Sequence, residues 1–476
     1  MSGTLAQTHM HIAPVALPNQ TVGPRRGLAL GVSMGLQPSR QRSRYGALTR
    51  SRGYTKLSLP TVSYAGLLTA RVFKHDERLG FLPLDLTILF ALLVIWFCFH
   101  AVVRDPSLLR VKAREMLLIL MLFATFAFGL FQMPGSSYSS QKVAGIYTFA
   151  LIASAAPFFI VRSSRERRAF LNAILLFGTL MGIQTLVLIT GGSGTGRLSP
   201  FGDVPIWSGR LAGAALIVSF SRFVSRQMTI IAITLIAGIL GVALAASGSR
   251  GPLLALALAL LGVAVYASRE QAATRRRVVI SIMLLLMVTG TIVSLVVPNS
   301  RLAAYTFDGG FADADRVRLD LNKAAIEGLI NNPLGTGWGS FVHTLGRFNS
   351  EALERNQIGD NVYPHNLYLE VSLEAGWLAG LAFVTLVLTA LHRAFRANPS
   401  GDNIALLALL LYYMTNAAFS GDINSNRYLF ALIAICLTAF PPSGSLGRRK
   451  LEQAEYIPGS TRTQPRASSS AKTSRP

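Results

Sequence analysis

Three side chains in this sequence carry charge or a titratable ring in an unusual setting. Arg250 lies in the stretch AASGSRGPLLAL, between two apolar runs. Arg318 opens RLDLNKAAIEGLI, and His365 follows a proline in YPHNLYLEVSLEAGW, at the edge of a further apolar run. Ionisable groups in or beside hydrocarbon are costly and need a reason. Taken singly, each has an ordinary one. Arg250 could snorkel from a helix end, Arg318 could be a solvated helix residue, and His365 could cap a helix whose natural N-cap is Asn366. Taken together they are a chemical set. Two guanidiniums clamp a diphosphate through paired N–H donors. A neutral imidazole takes a proton from a hydroxyl near neutral pH. That suffices for glycosyl transfer from a lipid diphosphate, with arginine neutralising the leaving group and histidine activating the acceptor. The sequence has no HExxH and no Cys/His pair at ligand spacing, and in this scheme arginine stands where a divalent cation often would.

Around this set lie acidic partners. On a helix, Asn366, Glu370 and Glu374 share one face. Glu370 is five residues from His365, close enough to orient the ring or to pair with an arginine; structural pairing is the expected role. Asp422 and Arg427, in FSGDINSNRYLF, are expected on the same side and are candidates to line the same cavity.

The elements that hold these residues are membrane helices. Of 476 residues only 14% are charged, and mean hydropathy is +0.44. Runs such as LTILFALLVIWFCFHAVV approach the ~20 apolar residues that span a bilayer. The fold class is therefore an all-α polytopic membrane protein of about 11–12 transmembrane helices. The spans run near 82–103, 115–133, 143–161, 169–190, 204–221, 228–246, 251–267, 277–297, 366–391, 403–420 and 427–441. Residues 1–80 and 443–476 are basic, lack periodicity and read as mostly disordered. PRRG near the start is not followed by an apolar run of signal-peptide quality. Cys98 and Cys436 fall inside apolar runs and read as packing residues.

The net charge of +23 sits in the basic terminal segments and in the loops between spans rather than marking a nucleic-acid surface. RSSRERR, SREQAATRRR and HRAFRANPSGD mark the cytoplasmic side by the positive-inside rule. The segment 298–364 then faces the other side. It carries six Lys/Arg against eight Asp/Glu and is too long to be a plain connection. Within it, Val317, Leu319, Leu321, Ala324, Ala325, Ile326 and Leu329 predict an amphipathic helix. Asn331, Asn332 and Pro333 stop it, and the glycine-rich NPLGTGWGSF follows. One inconsistency remains: RDPSLLRVKARE is also basic, which would put the basic N-terminus outside unless a weak extra helix lies in 57–80.

Three stretches carry a resemblance. SGSRGPLLALALALL, RLDLNKAAIEGLINNPLGTGWGSF and HNLYLEVSLEAGWLAGLAF, in that order and spacing, resemble the motifs of the O-antigen ligase and O-antigen polymerase superfamily of bacterial envelope glycosyltransferases. The resemblance covers about 240–440. It implies a metal-independent inverting transferase with a GT-C-like fold and no cofactor. It also implies an undecaprenyl-diphosphate-linked glycan donor, a lipid A–core or second glycan acceptor, and an active site at the periplasmic face of the inner membrane. By motif position His365 would be the general base, and Arg250 and Arg318 would engage the diphosphate. Gly376 and Gly380 are separated by three residues rather than the usual two. The competing class, a transporter, would place charges in the middle of several spans and show paired broken helices; here the notable charges sit at span ends. A purely structural scaffold would tolerate loss of His365.

Overall fold

The computed structural model describes residues 57–440, apart from 75, 192–197, 203, 268–275, 277–278, 281, 284–310 and 352–361. Among the described residues there is no strand, and the architecture is the expected all-α, multi-pass one. The helices are α1 (Leu59–Thr69), α2 (Leu86–Arg104), α3 (Ala113–Leu130), α4 (Ser137–Ile160), α5 (Ser164–Thr190), α6 (Pro205–Val224), α7 (Ile230–Ala246), α8 (Arg250–Ala267), α9 (Phe311–Asn331), α10 (Phe341–Phe348), α11 (Leu367–Glu374), α12 (Trp377–Arg396), α13 (Gly401–Phe419) and α14 (Arg427–Ala439). Among the described residues, α2, α3, α4, α5, α12 and α13 are long and apolar enough to cross a membrane, and α7, α8 and α14 are shorter apolar helices. The span expected at 277–297, like the segments 1–56 and 441–476, lies mostly or wholly outside the described residues.

Apolar side chains divide between a packed interior and an outer skin. On α2, Ala91 and Val94 are buried while Ile88, Leu92, Ile95, Trp96, Phe99 and Val103 are exposed. An exposed stripe at three- and four-residue spacing suits a helix whose outer face meets lipid. Helix α6 is the opposite case, buried on nearly every side and packed against α5, α7 and α13. Small residues let these helices approach closely: a Cβ on Gly213 would overlap the Tyr412 hydroxyl.

The two ends of α6 differ in chemistry. Arg222 lies twelve residues after Arg210, about 18 Å along the axis. Its Nη1 donates to Asp402 Oδ1 at 2.6 Å, and Arg168 Nε approaches Asp402 Oδ2 at 3.3 Å. Beside them Arg393 faces Glu115 at 3.7 Å. These contacts join the basic connections between α2 and α3, α4 and α5, and α12 and α13 into one polar end. The other end of the bundle holds the candidate site.

A helix does precede residue 81. Helix α1 and the 3₁₀ turn Ala70–Phe73 are buried against α2 and α5, and Tyr64 Oη donates to Ala153 O at 2.6 Å. Alone, α1 is about 16 Å long, roughly half the hydrocarbon thickness. The single span expected over 366–391 is instead two helices. Gly376, at φ +89°, separates α11 from α12. The reason lies in NPLGTGWGSF, which turns against the break. Thr336 N and Gly337 N donate to the Leu373 and Glu374 carbonyls, and Trp377 N donates to Pro333 O. The end carbonyls of α11 are thus met by a distant turn rather than by a continuing helix. The three-residue separation of Gly376 and Gly380 serves the same join. Gly376 supplies the left-handed turn, and a Cβ on Gly380 would overlap Ser372 Oγ of α11.

The amphipathic helix predicted in the long loop is α9. Leu321, Ala324 and Ala325 are buried with Phe341, Leu345, Val362 and Leu373 in a small second core, and Val317 and Leu329 pack at its edge. Leu319 and Ile326, on the same helix, are instead 68% and 46% exposed. With Ile330, Leu334 and Trp377, also exposed, they give α9 and its turn an apolar outer stripe of the kind that rests on a membrane interface.

Gly337 is held at φ +91°, and a Cβ there would overlap the Gln132 carbonyl. Gly337→Ala is expected to destabilise the protein by about 2–3 kcal/mol through backbone strain and displacement of the turn. Thermal unfolding in detergent, followed by tryptophan fluorescence, reads it directly because Trp338 is next in the chain. An unchanged transition would contradict this account of the turn.

Candidate active site

His365 sits in the left-handed region at φ +58°. Non-glycine residues rarely adopt that conformation, and when they do they cluster at functional sites. Local sequence explains how it persists. Pro364 removes a donor before it, and Asn366 caps α11 after it. The Asn366 Oδ1 accepts from Tyr368 N at 3.1 Å and Leu369 N at 3.3 Å. Asn366 is therefore the N-cap that the sequence offered. The imidazole packs on Tyr363 with ring centroids 4.4 Å apart, and its Nδ1 is buried with no hydrogen-bond partner. Burial first, and the positive charge of Arg318 next, pull the ring down from its ordinary 6.5 to about 4; Asp422 opposes them. His365 is thus a neutral, unengaged base at neutral pH.

The same influence places Arg318 near His365. It projects, half-buried, from α9, whose apolar face is fixed by the small second core. Arg250 is at the head of α8, just after the turn where Ser247 packs on Gly209 of α6. The charges acting most strongly on His365 are those of Arg318 and Asp422 rather than Arg250. His365, Arg318 and Asp422 are therefore brought together, and Arg250 shares the end of the bundle at which α6 and α8 begin.

Glu370 makes a structural pairing, but its partner is neither His365 nor an arginine. Lys142 Nζ, in α4, stands 2.5 Å from both Glu370 Oε1 and Glu374 Oε2, with all three side chains fully buried. Gly339 N adds a bond to Glu374 Oε2 at 3.0 Å. Trp338 closes the site, donating Nε1–H to Phe126 O at 2.8 Å, with its ring centroid 5.8 Å from Lys142 Nζ. The shared face of Glu370 and Glu374 thus docks α11, and with it His365, onto α4 and the glycine turn. Lys142 has no motif around it to mark it in the sequence. Its signal was a lone lysine, in SSYSSQKVAGIYTF, opposite two glutamates that had no arginine assigned.

Arg427 opens α14. Its Nε donates to Asn424 O at 3.0 Å, its guanidinium lies 4.5 Å from the Phe149 ring centroid, and its Nη1 is buried without a partner. Asp422 binds Ser425 through its backbone N at 3.0 Å and through its hydroxyl. Both residues lie at this end of the molecule, Arg427 lining a cavity with Arg71, Arg210 and Trp207. Beside them stand Arg71 and Arg210, which nothing in their local sequence distinguishes.

Fold and site define a multi-pass helical membrane protein with a strained, neutral histidine beside an arginine-bearing amphipathic helix. The O-antigen ligase family model matches residues 234–384, about a third of the chain. That stretch contains Arg250, Arg318, the glycine turn, His365, Glu370 and Glu374, and the match supports the O-antigen ligase/polymerase superfamily read from the motifs. The superfamily is one of glycosyl-transferring membrane enzymes acting on lipid-linked glycans. No curated protein matches the chain.

Proposed function

We propose that the protein transfers a glycan from undecaprenyl diphosphate to an acceptor at the periplasmic face of the inner membrane, in the manner of an O-antigen ligase. The observation that carries this reading is His365: a half-buried, neutral imidazole whose Nδ1 has no hydrogen-bond partner, in a strained backbone conformation, next to the charge of Arg318. In the proposed step His365 removes the proton from the acceptor hydroxyl. That oxygen attacks the anomeric carbon from the face opposite the diphosphate, inverting the centre. The C–O bond to the diphosphate breaks, and Arg318 and Arg250 balance the charge that develops there. Guanidinium takes the place of a metal in this scheme. The basic opposite end, which the positive-inside rule assigns to the cytoplasm, supports the periplasmic placement. A polymerase of the same superfamily shares these motifs and differs in acceptor.

Because His365 is depressed to about 4, the base stays deprotonated down to mildly acidic pH. The acid limb of the transfer rate is expected near pH 4 rather than 6.5. Arg318→Gln removes a positive charge that lowers the imidazole, so it should move that limb upward as well as slow turnover. A pH–rate profile whose acid limb falls near 6.5 in the wild type, or does not move in Arg318→Gln, would argue against the assignment. Arg318→Lys should also be severely impaired, because a point charge lacks the planar fork.

Glycolipids and secreted polysaccharide from a deletion strain separate the two acceptors. Loss of long-chain lipopolysaccharide, with full-length glycan left on its carrier, identifies a ligase. Core capped with one repeat, or short carrier-linked units only, identifies a polymerase. An unchanged profile contradicts both.

A further inference from the structure

Three arginines that the transfer scheme does not use converge on one cavity. Arg71 lies in the 3₁₀ turn after α1, Arg210 near the start of α6 and Arg427 at the head of α14; all three line the cavity with Trp207, Tyr413 and Asn424. The guanidinium carbons of Arg71 and Arg210 lie 4.5 and 4.8 Å from the centroid of the same Trp207 ring.

Their hydrogen-bond partners are all neutral. Arg71 Nη1 donates to Ser425 Oγ at 2.9 Å and Arg427 Nε to Asn424 O at 3.0 Å. Arg210 Nη2 donates to Ser420 O at 2.6 Å and Asn416 O at 3.3 Å, and its Nη1 to Asn426 Oδ1 at 3.4 Å. Among the described residues no carboxylate forms an ion pair with any of the three, and Asp422 is engaged with Ser425. Arg210 is only 2% exposed, and its Nε, like Arg427 Nη1, is buried with no partner.

Three like charges gathered in a poorly solvated cavity repel one another and lose hydration. Packing alone does not require this, since Trp207 and Tyr413 could be walled by apolar groups. A compact oxyanion resolves the arrangement. It neutralises the cluster and accepts from the unsatisfied N–H groups in the geometry guanidinium favours. We infer that Arg71, Arg210 and Arg427 form a phosphate-binding site, additional to Arg250 and Arg318, that takes a phosphate group of a substrate. The transferase reading is needed only to name that substrate: either the diphosphate of the lipid carrier or a phosphate on the acceptor glycan.

The test is a binding measurement on the full chain in nanodiscs, with no turnover required. Two probes are used, undecaprenyl diphosphate and a delipidated phosphorylated core oligosaccharide. Against wild type, the Arg71→Gln/Arg427→Gln variant is expected to bind one of them at least tenfold more weakly. Loss of the first assigns the carrier diphosphate, and loss of the second assigns the acceptor. Should the double variant not fold, the single variants are each expected to weaken binding about threefold or more. Unchanged affinity for both probes, or a wild type that binds neither, overturns the site. A phosphate site that binds while the wild type fails to transfer glycan would instead contradict the transferase reading and leave the inference standing.

Discussion

Replacing His365 with asparagine is expected to lower glycan transfer by about 10²–10⁴-fold, the range for loss of a general base, while the protein still inserts and unfolds near the wild-type temperature. Asparagine is the sharper choice because it tolerates the left-handed conformation that His365 adopts at φ +58°. His365→Ala should lose activity as fully, with a further small cost in stability. The contrast matters because a histidine serving only as a helix boundary would be replaced by asparagine with little effect. Asn366 already supplies the cap, through bonds to Tyr368 N and Leu369 N, so the ring is not needed for that purpose. Initial-rate transfer assays alongside unfolding curves separate the two. Near-wild-type turnover in His365→Asn would remove the base from the mechanism.

Lys142→Met is expected to have the largest effect on stability. The ammonium is the counter-charge to Glu370 and Glu374 at 2.5 Å, and none of the three side chains reaches solvent. Removing one partner of a buried ionic set costs about 3–5 kcal/mol, because the remaining charge is stranded. Loss of folded protein from the membrane fraction, or a large fall in unfolding temperature, is the expected readout. The triple variant Lys142→Met/Glu370→Gln/Glu374→Gln should recover much of that loss, since it removes the stranded charge together with its partner. A single variant as stable as wild type, or a triple variant no better than the single, would show that the cluster does not hold α11 in place.

Much of this molecule is legible in its sequence, for physical reasons that differ by element. Membrane helices declare themselves because lipid demands apolar side chains and internally bonded backbone, so most span boundaries fall within a few residues of the helices. The amphipathic α9 was visible from the spacing of Leu321, Ala324, Ala325 and Leu329. The break at Gly376 was not, because it depends on the 333–339 turn bonding to Leu373 and Glu374, a non-local pairing with no periodic signature. The outward setting of Leu319 and Ile326 is hidden for a related reason: an interfacial helix is apolar on two faces, and spacing alone does not say which one packs. At the site, His365, Arg318 and Asn366 stand out because they interrupt an apolar context. Lys142, Arg71 and Arg210 come from helices distant in sequence, and their meaning appears only when those helices meet.

The central claim is that this chain moves a glycan off a lipid diphosphate. The most direct measurement is an in vitro reaction of the purified full-length protein in nanodiscs with undecaprenyl-diphosphate-linked glycan and acceptor, in the presence of a chelator. The expected result is one undecaprenyl diphosphate released per new glycosidic bond, with inverted anomeric configuration, and no product from His365→Asn. Carrier release without glycan transfer, retention of configuration, or equal product from wild type and His365→Asn would contradict it.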